Sequence, residues 1–157
     1  MGKRNRIYAD TSVFGGVADK EFQSVSKRFF EEVRKGIHGL IISEVTAEEL
    51  RDAPETIRLF VASLPEDSVE RVALNQEMRD LRDAYLAAKV LGRAQIDDAA
   101  HVAVATVAKA DLIVSWNFKH LVKWYRIRRF NAVNLTLGYP LMTIMSPREV
   151  IADEEGS

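Results

Sequence analysis

The chain has 157 residues, 47% of them hydrophobic and 29% charged, with 22 basic and 23 acidic residues. This length fits one domain, and a net charge of −1 excludes the strongly basic profile of proteins that hold duplex DNA by overall charge alone. The absence of cysteine excludes disulfides, zinc–thiolate sites and a thiol nucleophile. No apolar run resembles a signal peptide or reaches membrane-spanning length, so we expect a soluble cytoplasmic protein without a membrane partner.

Short apolar runs alternate with amphipathic segments in the first half of the chain. We predict a strand at 7–9, a helix from about 20 to 35, a strand at 40–42, a helix capped by Ser43 or Thr46, and a helix from 55 to about 64. Gly36 ends the first of these helices, and Pro54 separates the last two.

The same alternation continues in the second half. We predict a strand at 69–72, a helix at about 78–88 ending near Gly92, a helix opened by Asp97 and Asp98, a strand at 112–114, a basic helix at 119–129, a loop at 131–140 and a strand at 142–145. Ser146 to Glu149 has the pattern of a capping box with proline at the first helical position. We expect one domain over 1–152, with 153–157 as a frayed acidic tail.

Polar side chains follow several of the predicted strands. Alternating strands and helices are typical of an α/β fold with a mainly parallel sheet, whose ligands bind beyond the carboxyl ends of the strands. Asp10 follows the first strand, Glu49 lies on the helix after the second, and Asp98 opens a later helix. Asn117 follows the strand at 112–114. These positions are compatible with one site.

Carboxylates gathered at one point repel each other, and a divalent metal is the commonest reason for such a gathering. Oxygen ligands suit Mg²⁺ and Mn²⁺. Such a metal activates water and neutralises charge on a phosphodiester, most effectively with a second ion about 3.5–4 Å away. No nucleophilic serine or base histidine is evident for the acids to serve, so the pattern favours a metal-dependent phosphodiesterase.

The first two acids also have purely structural interpretations. Asp10 precedes Thr11 and Ser12 and is able to cap a turn or helix. Glu49 completes a capping box with Thr46. Glu44 and Glu48 are rival acids in the same segment, and we expect them to be solvated.

The later acids have structural alternatives as well. Asp97 and Asp98 fit the cap and first turn of one helix; we assign Asp97 to the cap and Asp98 to the site. His101 lies one turn after Asp98, but a lone histidine on an alanine-rich helix is more often a packing residue. Asp111 precedes its strand at the end opposite to Asn117, which favours a turn.

At these residues the chain resembles the PIN-domain ribonucleases, and among them the VapC-type toxins of toxin–antitoxin pairs. The resemblance covers nearly the whole chain and rests on four motifs in register: Asp10-Thr11-Ser12, Ser43-x-x-Thr46-x-x-Glu49-Leu50, Asp98-Ala-Ala-His-Val-Ala, and Ile113-Val114-Ser115-Trp116-Asn117. It implies a three-layer α/β/α fold, an Mg²⁺- or Mn²⁺-dependent endoribonuclease, a cognate antitoxin and a homodimer. Cleavage of tRNA, rRNA or mRNA would leave a 3′-hydroxyl and a 5′-phosphate.

By this resemblance Asp10, Glu49 and Asp98 hold the metal, and Asn117 completes the catalytic set. Ser12 and Ser115 stand at the family's polar supporting positions. Many members carry aspartate where this chain has Asn117, and asparagine offers only a neutral carbonyl oxygen. We therefore expect one tightly held ion with a second arriving with substrate, or an asparagine that orients a metal-bound water.

The segment from Lys119 to Arg129 is basic and aromatic and contains no acid. The candidates for RNA contact are Lys119, Lys123, Arg126 and Arg129, with Trp124 or Tyr125 stacking on an unpaired base. The alternative is a helix packed through Leu121, Val122, Trp124 and Ile127, with its other face solvated.

Other functions stay open at this point. A PIN-like module that binds RNA or protein without cutting would explain Asn117, and a housekeeping nuclease would share the whole site. A phosphotransferase of the haloacid-dehalogenase type also opens with a strand and an aspartate, but that class usually has a second acid where this chain has Ser12.

Overall fold

The computed structural model describes residues 4–152, so the predicted tail at 153–157 lies outside the described residues. The strands are β1 (Asn5–Ala9), β2 (His38–Ser43), β3 (Val69–Val72), β4 (Leu112–Val114) and β5 (Ile144–Met145). The α-helices are α1 (Thr11–Gly15), α2 (Gln23–Arg34), α3 (Glu44–Leu50), α4 (Glu55–Ala62), α5 (Gln76–Ala87), α6 (Ile96–Val107) and α7 (Trp124–Thr136).

The five strands form one parallel sheet in the order β3-β2-β1-β4-β5. The chain builds outward from β1 to β3 on one side and then crosses over β1 to build β4 and β5 on the other. The order of strands therefore reverses between β1 and β4, and ligands of open parallel sheets bind beyond the carboxyl ends of the strands at such a point. Asp10 directly follows β1 at this edge, and Ser115 directly follows β4.

Hydrophobic cores cover both faces of the sheet. Alternate residues of β1 point to opposite faces, so Tyr8 joins the core beneath α5, α6 and α7 while Ile7 and Ala9 join the core beneath α1, α2 and α4. The apolar residues of β1 and β2 are buried throughout, and only Leu112 at the start of β4 is partly exposed, as expected for a parallel sheet between helical layers. The predicted three-layer α/β/α fold is confirmed.

The basic segment differs most from its prediction. Residues 119–122 form a turn closed by the Asn117 carbonyl, and α7 begins only at Trp124. Trp124 does not pack as the alternative interpretation held, since 70% of its surface is exposed. The predicted loop at 131–140 is wrong in its first half, because α7 continues to Thr136. Polar composition suggested a loop there, but the polar side chains are used inside the fold: buried Asn134 accepts a hydrogen bond from Tyr85.

Smaller differences concern helix ends. Helix α2 begins at Gln23 rather than near residue 20, because a turn built on the Asp19 carbonyl precedes it. Pro147 takes the first position of a short 3₁₀ turn as predicted, but the Ser146 side chain makes no capping hydrogen bond. Gly36 ends α2 with a φ of 78°, a left-handed conformation that glycine adopts at little cost.

Candidate active site

Asp10 is a buried carboxylate at the carboxyl end of the central strand, with 3% of its surface exposed. Its Oδ1 accepts hydrogen bonds from the Ser12 amide at 3.1 Å and the Ser12 hydroxyl at 2.5 Å, and its Oδ2 accepts one from Ser115 Oγ at 2.6 Å. Asp10 thus caps α1, as its structural interpretation held. Burial raises the pKa of the Asp10 carboxyl, although the charge of His101 and the bonds from Ser115 and Ser12 act in the opposite direction.

Glu49 lies inside α3 and points toward α1 and α6. The expected capping box with Thr46 is wrong, because α3 begins three residues earlier, where Ser43 Oγ accepts from the Thr46 amide at 3.3 Å. Glu49 Oε1 instead accepts from Thr11 Oγ1 at 2.7 Å and from His101 Nε2 at 2.6 Å. Burial would raise the pKa of Glu49, but the hydrogen bond and charge of His101 and the bond from Thr11 lower it.

The rival acids of this segment have other partners. Glu44 Oε1 accepts a hydrogen bond from the Leu74 amide at 2.7 Å, and Glu48 pairs with Arg51 on the exposed side of the helix. Glu49 is therefore the acid of α3 that contacts the residues after β1 and on α6.

Asp98 is half-buried in the first turn of α6. The prediction that Asp97 caps this helix is wrong, since Gln95 occupies the cap position and Asp97 is an exposed first-turn residue. Asp98 Oδ2 lies 3.3 Å from His120 Nδ1. Burial raises the pKa of Asp98, the charges of His101 and His120 lower it, and the charges of Asp10 and Glu49 raise it further. The three carboxylates thus interact electrostatically with one another.

Asn117 shapes the turn that follows β4. Its side-chain Oδ1 accepts a hydrogen bond from the His120 backbone amide at 2.9 Å, and its own backbone amide donates to Ser115 Oγ at 2.9 Å. A chain of contacts therefore runs from Asp10 through Ser115, Asn117 and His120 to Asp98.

The two serines hold this arrangement together. Ser12 Oγ donates to Asp10 and accepts from the Trp116 amide at 2.9 Å, which ties the start of α1 to the end of β4. Ser115 Oγ donates to Asp10 while it accepts from Asn117. Both side chains support Asp10, as the family resemblance implied for these two serines.

His101 is a site residue whose contacts with Tyr8 and Glu49 the sequence did not predict. It is 2% exposed, and its Nδ1 lies 2.5 Å from the Tyr8 hydroxyl while Nε2 donates to Glu49. Burial would lower the pKa of His101, but Tyr8 and the carboxylates of Glu49 and Asp10 raise it to about 10. As an imidazolium it donates from both nitrogens, so the Tyr8 hydroxyl donates onward to Ser43 Oγ at 2.7 Å. The feature of the sequence that could have pointed to His101 was its position one helical turn after Asp98.

The donor set of this site is that of a hard divalent cation. Three carboxylates surround the buried His101, and their mutual repulsion contributes to the raised pKa values of Asp10 and Asp98. Among residues 4–152, however, no three His, Asp or Glu side chains stand close enough to enclose an ion in their present rotamers. Glu49 is bonded to His101, and Asp98 is paired with His120. The oxygen chemistry of these carboxylates nevertheless fits Mg²⁺ or Mn²⁺.

Two of the four predicted RNA contacts are used within the protein. Arg126 and Arg129 donate to the carbonyls of Val90 and Ala88, joining α7 to the segment after α5. Lys119 and Lys123 are exposed. Contact with RNA stays a prediction for all four, and the lysines are the freer pair.

No protein-family model matches this chain, and no curated protein matches it significantly. Within the described range 4–152, no helix is both long and apolar enough to cross a membrane.

Proposed function

We propose that this protein is a metal-dependent endoribonuclease. The observation that carries the proposal is the set of three carboxylates at the reversal point of strand order, with Asp10 buried and interacting with Glu49 and Asp98. The neighbouring carboxylates raise the pKa values of Asp10 and Asp98, and a divalent cation would relieve this repulsion.

Asp10, Glu49 and Asp98 are the residues that would hold Mg²⁺ or Mn²⁺. When bound, such an ion lowers the pKa of water and stabilises charge on a phosphodiester. Ser12 and Ser115 fix the orientation of Asp10, because each donates a hydroxyl hydrogen bond to it. His101 fixes Glu49 in the same way.

The cellular setting that we propose is that of a toxin restrained by a cognate antitoxin, with RNA as substrate and a homodimer as the assembly. Large apolar side chains stand exposed on the surface and are available for protein contacts; they include Ile37, Leu59, Leu135, Leu137 and Leu141. A small gene on the same transcript would support the antitoxin, and its absence would favour a housekeeping nuclease.

The test is cleavage of a labelled RNA pool by purified protein in Mg²⁺, Mn²⁺ or EDTA. Metal-dependent cutting is expected in wild type and is expected to be lost in Asp98→Asn. The matched control is Asp97→Asn, which removes the neighbouring, exposed carboxylate of the same turn and should cut normally. Absence of metal-dependent cutting at an enzyme level near the RNA concentration would reject the proposal, as would equal loss in both variants.

A second candidate is an RNA-binding module that does not cut. It is favoured by Asn117, whose amide oxygen is bonded to the His120 amide, and by the lack of a ready metal enclosure within residues 4–152. Wild-type protein that binds RNA equally well in EDTA and Mg²⁺, without cleaving it, would select this candidate.

A further inference from the structure

Phe118 presents an aromatic ring to solvent from the turn that links two of the site acids. Ser115, at the start of this turn, donates to Asp10 Oδ2 at 2.6 Å. His120, at its end, lies 3.3 Å from Asp98 Oδ2. Between these two anchors Phe118 keeps 48% of its surface exposed. The ring is therefore exposed on a turn whose two ends contact the site acids.

The inner part of the Phe118 ring rests on an aromatic cluster. Its centroid lies 6.1 Å from that of Trp116 and 6.4 Å from that of Phe22, and those two rings stack on each other at 4.3 Å. Trp116 is fixed by a 2.8 Å hydrogen bond to Ser26 and by the close approach of Gly16, where a Cβ would come within 2.9 Å of the indole nitrogen. The exposed ring is thus held in place before any ligand arrives.

Positive charge flanks this ring. Lys119 follows it directly, is exposed, and forms no ion pair among the residues that the structure describes. The exposed guanidinium of Arg148 lies 5.7 Å from the centroid of Trp116. A fixed aromatic ring with one cation next to it in sequence and a second on the neighbouring indole matches an unpaired base with its adjoining phosphates. Bases inside a duplex are already stacked and paired and do not offer a face to such a ring.

We propose that Phe118 is a stacking platform for an unpaired base of the substrate RNA, beside the acid site, with Lys119 and Arg148 contacting the flanking phosphates. As a specificity residue of the cleavage reaction, this role rests on the proposed nuclease function. It defines the substrate class as RNA that is single-stranded at the bound nucleotide.

The test is RNA binding in EDTA, where no metal-dependent cutting occurs. The probe is a short single-stranded RNA carrying 2-aminopurine, whose fluorescence is quenched by stacking, compared with the same strand in a duplex. Phe118→Leu keeps an apolar side chain but removes the ring, and it should bind the single strand on the order of tenfold more weakly and lose the quenching. Phe118→Trp keeps an aromatic ring at this position and should retain both.

Equal affinity of the Leu and Trp variants would overturn the platform, and so would a duplex that binds as tightly as the single strand. Either result would leave Phe118 as a contact for a protein partner. Cleavage assays separate this failure from failure of the nuclease. Metal-dependent cutting with unchanged kcat/KM in Phe118→Leu rejects the platform alone, whereas ring-dependent binding by a protein that never cuts rejects the nuclease alone.

Discussion

Replacing Asp10 by asparagine is expected to stabilise the metal-free protein. Asp10 is buried at the end of β1, and burial raises its pKa. A carboxyl whose pKa is raised by folding destabilises the folded state at pH values above that raised pKa, and the penalty disappears below the pKa of the unfolded chain. Asparagine has nearly the same shape and stays neutral, so it removes this penalty at neutral pH.

The size of the effect follows from two opposing contributions. Each unit of upward shift in pKa costs the folded state about 1.4 kcal/mol at neutral pH. Asparagine Oδ1 would still accept from Ser12, but the loss of hydrogen bonds to a charged acceptor costs about 1 kcal/mol. Burial is the largest contribution to the pKa of Asp10, so the net effect is a gain, and each 1 kcal/mol of gain raises Tm by about 2–4 °C for a chain of this size.

Thermal unfolding in EDTA, at neutral pH and at about pH 4, measures this difference. The gain should be present at neutral pH and shrink as the pH falls. Mg²⁺ or Mn²⁺ at about 100 times its Kd should then stabilise wild type by about 2.7 kcal/mol and the variant far less, so the order of the two Tm values reverses. The matched control is Asp111→Asn, which removes a carboxylate bonded to the Arg6 amide near the opposite end of β1, and the metal should stabilise it as much as wild type. A variant less stable than wild type by the same amount at both pH values would mean that Asp10 is only a helix cap.

Three further predictions concern side chains around and beyond the site. His101→Gln should raise the pKa of Glu49 and weaken metal-dependent cleavage about 10–100-fold, and it should move the lower pH limit of activity upward; an unchanged pH profile would contradict this. Tyr85→Phe leaves Asn134 without its 2.5 Å hydrogen bond and should lower the free energy of unfolding by about 1–2 kcal/mol at unchanged kcat/KM, measured by urea unfolding. Lys119→Ala should reduce the salt dependence of RNA binding, whereas Arg126→Ala should chiefly lower Tm; the reverse pattern would assign the RNA contact to Arg126.

The sequence was sufficient to predict the sheet, for a physical reason. Apolar runs such as Leu40 to Ile42 are buried on both faces, so each run predicts a strand without knowledge of its neighbours. Because parallel strands end at one edge, residues that follow them are brought together by topology alone. The fold is therefore predictable from local patterns, and the neighbourhood of Asp10, Glu49 and Asp98 follows from it.

The same local patterns do not predict contacts between side chains that are distant in sequence. Arg126 appears in the sequence as one of several basic residues, and only the packing of α7 against α5 shows that it serves a backbone carbonyl. Asn134 looks like a loop residue until Tyr85 is placed opposite it, when the buried hydrogen bond favours the continued helix. The capping role of Thr46 failed similarly, since Ser43 already satisfies the first turn of α3. Each of these three errors concerned a polar group whose hydrogen-bonding partner is remote in sequence or one helical turn away.

Asn117 illustrates how the electrostatics of the site are balanced. An aspartate in its place would accept from the same His120 amide but add a fourth negative charge near Asp10 and Asp98, both of which already have raised pKa values. The neutral amide preserves the turn without that repulsion. The same turn holds Phe118 outward, so the residue that lowers the charge of the centre also positions the exposed ring beside it.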